Sequence, residues 1–206
     1  MIIAVDGPTA SGKGTIAKAL AVHFGLPHLD TGLLYRAVGR QVALNGGDAD
    51  SAVDALAACD FPDHLITDPE LRSETVGGLA SRVSVHPAVR RALYQRQRAF
   101  ALQRGGAVLD GRDIGTVIAP EAEVKLFVVA SVSARAERRF TEMQAAGRSV
   151  SLAEIAADLE LRDQRDRTRA EAPLVAASDA VLLDTSDFSR EDAVAEAVRL
   201  VEAKLR

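Results

Sequence analysis

Five short apolar runs, at 2–5, 27–29, 107–109, 124–129 and 180–183, punctuate the chain, and the stretches between them place many apolar residues at helical spacing. The runs predict strands. Their alternation with helices predicts an α/β fold in three layers, a central parallel sheet of about five strands with helices on both faces. Ligands of such sheets gather at the carboxyl edge of the strands. Asp6, Asp30, Asp110 and Asp184 each follow a predicted strand and are placed near that edge.

After the second strand, Thr31 is positioned to N-cap a helix running to about residue 44, which Gly46-Gly47 stops. Residues 48–104 then read as helices only, at about 49–59, 70–83 and 87–103, with Pro87 in a first helical turn and Gly105-Gly106 as the stop. One domain, 1–206, is expected, with a core of 1–44 and 105–206 and an insertion at about 45–104. A helix at 133–141 precedes a loop at 142–150 with Gly147 and Arg148, and Ser151 with Glu154 forms a capping box for the next helix. That loop reads equally as a mobile lid or as a plain helical connection.

At 206 residues, 48% hydrophobic and 26% charged, the composition is that of an ordinary globular domain. With 6 Phe, 2 Tyr and no Trp, its core must be aliphatic. The single cysteine, Cys59, excludes an intrachain disulfide and fits a reducing compartment; its alanine-rich surroundings favour a packed helix face over a reactive thiol. No apolar run approaches the length of a membrane span, and strand residues from Ile2 leave no room for a signal peptide. A cytoplasmic protein is expected. It is expected to be monomeric, since no helix shows a surplus apolar stripe. A net charge of −4 and the lack of interleaved aromatics argue against binding a nucleic-acid polymer. Arginines nevertheless cluster at 135–148 and 162–169, which suggests small anionic ligands held in a cleft.

The most specific motif is Gly7-Pro8-Thr9-Ala10-Ser11-Gly12-Lys13-Gly14-Thr15, set between the first strand and a helix. Such a loop turns successive backbone N–H groups onto phosphate oxygens, the helix N-terminus adds positive potential, and Lys13 reaches the β/γ-phosphates. A nucleoside triphosphate is therefore expected, with Mg²⁺. The residue after Lys13, usually Ser or Thr, is Gly14. No direct protein ligand is expected for the metal; Thr15 and Asp110 would act through water. The four His show no metal-ligand spacing and read as structural.

Two further segments carry charge in a pattern. Asp110-Gly111-Arg112-Asp113 ends a buried strand, where Asp110 suits the outer shell of Mg²⁺ and Arg112 a phosphate. On a helix, Arg162, Arg165, Asp166 and Arg169 share one face, which suits phosphate oxygens and a sugar hydroxyl but also a solvated surface with i,i+4 pairs.

In these motifs, and in Tyr35-Arg36, Ala80-Ser81-Arg82-Val83, Pro87-Ala88-Val89-Arg90, Gln97-Arg98-Ala99-Phe100, Gly115-Thr116 and Ala172-Pro173-Leu174, the chain resembles the bacterial cytidylate kinases of the nucleoside monophosphate kinase family over nearly its whole length. The resemblance implies ATP in the 7–15 loop, with Arg135 and Arg138 meeting adenine or the ATP phosphates. It places Ser81, Arg90 and Asp113 at the cytosine edge, and Asp166 with Arg162 at the ribose. Arg36, Arg112 and Arg169, with Thr31 nearby, fall at the acceptor phosphate. Lys13, Asp110, Arg112, Arg162 and Arg169 are the implied catalytic set. CMP and dCMP are the implied acceptors, with UMP use as the alternative within kinases; an ATP-driven switch lacking an acceptor site is the alternative outside them. The chain departs from the family at Thr31, where Ser is frequent, and at 68–78, too short for the β-hairpin many members carry.

Overall fold

The computed structural model describes residues 1–145 and 147–206. Five parallel strands, β1 (Ile2–Asp6), β2 (His28–Asp30), β3 (Ala107–Gly111), β4 (Val124–Val129) and β5 (Val181–Asp184), lie in the order β2-β3-β1-β4-β5. The helices are α1 (Lys13–Phe24), α2 (Thr31–Leu44), α3 (Ala52–Ala57), α4 (Glu74–Val83), α5 (Pro87–Ala101), α6 (Val132–Ala145), α7 (Leu152–Thr168) and α8 (Arg190–Leu205). The fold class is as the alternation predicts.

Central β1 and β3 are buried throughout because helices cover both faces. On one face Ile16 and Leu20 of α1 and Ala197 and Val201 of α8 pack on Ile3, Val5, Leu126 and Val128. On the other, Ala101 of α5 meets Ile2, Ala4 and Leu109. A second core joins α2 to α3, α4 and α5 around Leu34, Val38, Leu71, Val83 and Val89. Gly39 allows this packing: a Cβ there would lie 2.8 Å from Leu79 Cβ. The described part of 45–104 is helical, without a strand.

Several local expectations need correction. Asp30, not Thr31, holds the N-cap position of α2, and Thr31 instead donates its hydroxyl to the Asp110 carbonyl at 2.8 Å. The helix expected at 70–83 is broken, because the Ser73 hydroxyl captures the Val76 N–H and restarts the helix after a 3₁₀ segment at Pro69–Arg72. The helix expected at 49–59 covers only Ala52–Ala57, opened by Ser51. Helix α6 continues through Ala145, so most of the first half of the loop expected at 142–150 is helical; Ala146 lies outside the described residues. Three elements among the described residues exceed the sequence expectations: a 3₁₀ segment at Asp63–Thr67, α8, and a π-helical turn at Ile114–Ile118. Asp6 holds that turn, accepting from the Ile114 and Gly115 N–H groups at 2.8 Å each.

Candidate functional site

Where β1 passes into α1, Gly7, Ala10 and Gly12 take positive φ angles of 156°, 63° and 88°. Gly7 has no alternative, since a Cβ would lie 2.0 Å from the Val128 carbonyl oxygen. Helix α1 starts at Lys13 with no side-chain cap and no acidic residue in its first turn, so its N–H groups stay available to an anion. The Lys13 ammonium donates to the Pro8 carbonyl at 3.2 Å; burial, reinforced by Arg112, lowers its pKa to about 8.

Lys13 sits between two clefts. One, of about 310 Å³, is lined by Arg36, Ser81, Arg90, Arg112, Asp113, Arg162, Asp166 and Arg169, with Thr31 and Asp110 at its floor. The other, of about 580 Å³, is lined by Gly12, Thr15, Lys18, Arg138, Thr185 and Arg190. Ala10, Lys13, Gly14, Asp30 and Arg139 belong to both.

Within the smaller cleft the charges form a chain of pairs. Asp113 accepts from Arg90 at 2.5 Å and lies 3.5 Å from Arg169, all three being buried. Arg90 also stacks over Tyr35, 5.5 Å from the ring centroid. Asp166 accepts from Arg112 Nε at 2.7 Å, and Arg112 Nη2 donates to the Thr9 hydroxyl at 2.6 Å, tying the cleft to the phosphate loop. Arg162 lies 2.8 Å from Asp158. Arg169 follows the end of α7 in an extended conformation, so the face predicted to hold Arg162, Arg165, Asp166 and Arg169 is completed by the chain leaving the helix. Arg165 is half-buried and reaches Ser81 Oγ at 3.4 Å.

Arg135 and Arg138 are placed differently from each other. Arg138 lines the larger cleft and donates to the Thr185 hydroxyl at 3.2 Å. Arg135 is 2% exposed and lines neither cleft: it forks onto Asp163 at 3.1 and 2.7 Å and donates to the carbonyls of Ala130 and Thr9. It braces the phosphate loop from behind.

At the strand edge Asp30 and Asp110 are register partners on β2 and β3. Burial and then Asp110 push the Asp30 pKa up. A Cβ at Gly14 would stand 3.7 Å from Asp110 Oδ2, so this carboxylate faces the position where a phosphate-loop hydroxyl usually sits. Two adjacent carboxylates beside the phosphate loop have the hard-oxygen chemistry of Mg²⁺, and no group of three or more His, Cys, Asp or Glu suited to a metal occurs among the described residues. The donor set suits a metal that arrives coordinated by phosphates.

Four residues escaped the sequence reading. His28 Nε2 lies 2.7 Å from Asp110 Oδ1, so one histidine is partnered within the site. Asp163 pairs with Arg135. Arg139 stands at the junction of the clefts, and Glu74 contacts both Arg139 and Arg162. Cys59 is half-buried, with its thiol pKa raised to about 11 by burial, as a packed position requires.

The family model for cytidylate kinase matches residues 3–203. A protein named cytidylate kinase from Xanthobacter autotrophicus is 54% identical over 205 residues, covering 99% of this chain and 98% of its own. The one from Rhodopseudomonas palustris strain HaA2 is 52% identical over 204 residues, covering 98% and 96%. The crystal structure of an uncharacterized protein from Eubacterium ventriosum shares the fold, with a TM-score of 0.56 at 15% identity over 98% of each chain. No helix among the described residues is long and apolar enough to cross a membrane.

Proposed function

We propose that this chain, which belongs to the cytidylate kinase family, transfers the γ-phosphoryl group of ATP to CMP and to dCMP by in-line displacement. The observation that carries this reading is the smaller cleft, where Lys13 and five arginines share one wall system with the buried Arg90–Asp113 pair and Ser81.

The acceptor lies with its base toward Ser81, Arg90 and Asp113. Arg90 donates to Asp113 and holds its carboxylate in place as an acceptor for the exocyclic amine of cytosine, which uracil lacks. Asp166 and Arg162 face the sugar, while Arg36, Arg112 and Arg169 face the phosphate. ATP lies in the larger cleft with its phosphates in the 7–15 loop and Arg138 beside it. An acceptor phosphate with a second pKa near 6 is dianionic at neutral pH and needs no general base. Catalysis is positioning and charge stabilisation: Lys13 and the arginines neutralise the phosphoryl group as it passes between the clefts. Mg²⁺ bound with ATP would neutralise its phosphates, held through water by Asp110 and Thr15. Residues 45–104 close over the acceptor, and the turn before α7 serves as the lid that excludes water.

Arg169→Met tests the reading against an ATP-driven switch. A kinase loses acceptor-dependent ADP release by at least about a hundredfold while ATP binding persists. A switch keeps its full ATP turnover.

A further inference from the structure

Among the described residues Arg139 is the one arginine that lines both clefts, and none of those on its own helix fixes it firmly. Its pair with Glu142, 3.1 Å away and three residues on, is solvent-exposed and weak. Its other partner is Glu74, the first residue of α4, on the segment that carries the acceptor-side helices. The same carboxylate lies 3.4 Å from Arg162 Nη2.

We infer that Glu74 is a positioning residue that couples occupancy of the acceptor cleft to placement of Arg139 against the donor phosphates. This deepens the kinase reading and rests on it.

The start of α4 is where arginines from three elements meet. Arg36 of α2 donates to the carbonyls of Leu71 and Ser73 at 2.6 and 3.0 Å, in the turn that leads directly into Glu74. A Cβ at Gly77 would stand 3.0 Å from both Arg162 Nη1 and Arg36 Nη2, so α4 is shaped to lie against these guanidiniums. Burial, with repulsion from Arg162 and Arg139, lowers the Arg36 pKa to about 10, which reports how closely the cations crowd. Among the described residues Glu74 is the carboxylate that faces both Arg139 and Arg162. An acceptor dianion held by Arg36, with Arg162 beside it at the sugar, relieves the repulsion between these cations and draws α4 onto them. Glu74 moves with α4 and seats Arg139 at the junction. A brace with no coupling role would weaken both ligands alike; a coupling residue changes how each ligand affects the other.

The test is calorimetric titration of a non-hydrolysable ATP analogue with Mg²⁺, with and without CMP, in the wild-type chain and in Glu74→Gln. In the wild type, CMP tightens the analogue by about tenfold, within the usual span of coupling between sites. In Glu74→Gln that ratio falls to about one, while each ligand alone binds within about threefold of wild type. Arg139→Gln loses the same ratio, and combining it with Glu74→Gln removes no more. An unchanged ratio in Glu74→Gln, no enhancement in the wild type, or additive losses in the double variant overturns the inference. Absence of CMP binding to the wild type, read in the same titrations, overturns the acceptor assignment itself.

Discussion

Replacing Asp163 by Asn removes the charge that balances Arg135 deep in the molecule. The two side chains are 2% and 7% exposed and share two hydrogen bonds, of 3.1 and 2.7 Å. Asn retains one acceptor but turns an NH₂ group toward the other guanidinium N–H. Breaking a buried pair from one side costs about 3–5 kcal/mol, against roughly 0–1 for an exposed pair. With one hydrogen bond kept, about 4 kcal/mol is expected, roughly a quarter or more of a typical domain's stability. For a chain of this size that lowers the melting temperature by about 8–16 °C. Urea unfolding at pH 7 with an unchanged m-value reads the loss directly. A loss below about 1 kcal/mol would refute the brace, meaning that water replaces the carboxylate. The paired change Asp163→Leu with Arg135→Met should recover most of the stability. ATP binding should stay weakened, because the Thr9 carbonyl keeps no donor from Arg135.

Lys13 is held to a pKa of about 8 by burial, so kcat/KM for ATP should fall above that pH, and Lys13→Arg should remove the falling limb. The stability of the free chain runs the other way: between pH 8 and 10.5 the unfolded state binds the extra proton, so this group's penalty fades as pH rises, as chemical denaturation across that range will show. Asp113→Asn should lower the preference for CMP over UMP by about tenfold or more, measured as a ratio of kcat/KM values; an unchanged ratio removes Asp113 from base reading. His28→Leu should raise the Mg²⁺ concentration for half-maximal turnover by about tenfold, because Asp110 loses the donor on Oδ1, and His28→Gln should restore it; equal losses in both would refute a hydrogen-bonding role.

What was legible in the chain was what local chemistry encodes. Apolar runs marked all five strands, and the glycines and lysine of residues 7–15 marked the phosphate loop, because both patterns are dictated within a few residues. The smaller cleft gathers Arg36, Ser81, Arg90, Arg112, Asp113, Arg162, Asp166 and Arg169 from stretches far apart in sequence; ordered motifs brought them together before geometry did. Partnerships with no motif were invisible: His28 with Asp110 spans 82 residues and Arg162 with Glu74 spans 88. Arg135 read as a ligand-facing cation because nothing local reveals that Asp163 satisfies it. The Thr31 hydroxyl was assigned to its own helix, but a carbonyl on the neighbouring strand claims it. Helix α8 did carry a signal, with Ser189 as its cap and a buried stripe of Ala193, Ala197 and Val201; small alanines make such a stripe easy to overlook.

The most direct test is ADP formation from ATP·Mg²⁺ with CMP, dCMP, UMP, AMP and GMP offered separately. Fast turnover with CMP and dCMP and little with the other three is expected from a cleft that ends in Arg90, Asp113 and Ser81. Slow ATP loss that does not depend on the acceptor would contradict phosphoryl transfer, and equal rates with UMP would contradict the reading of the base.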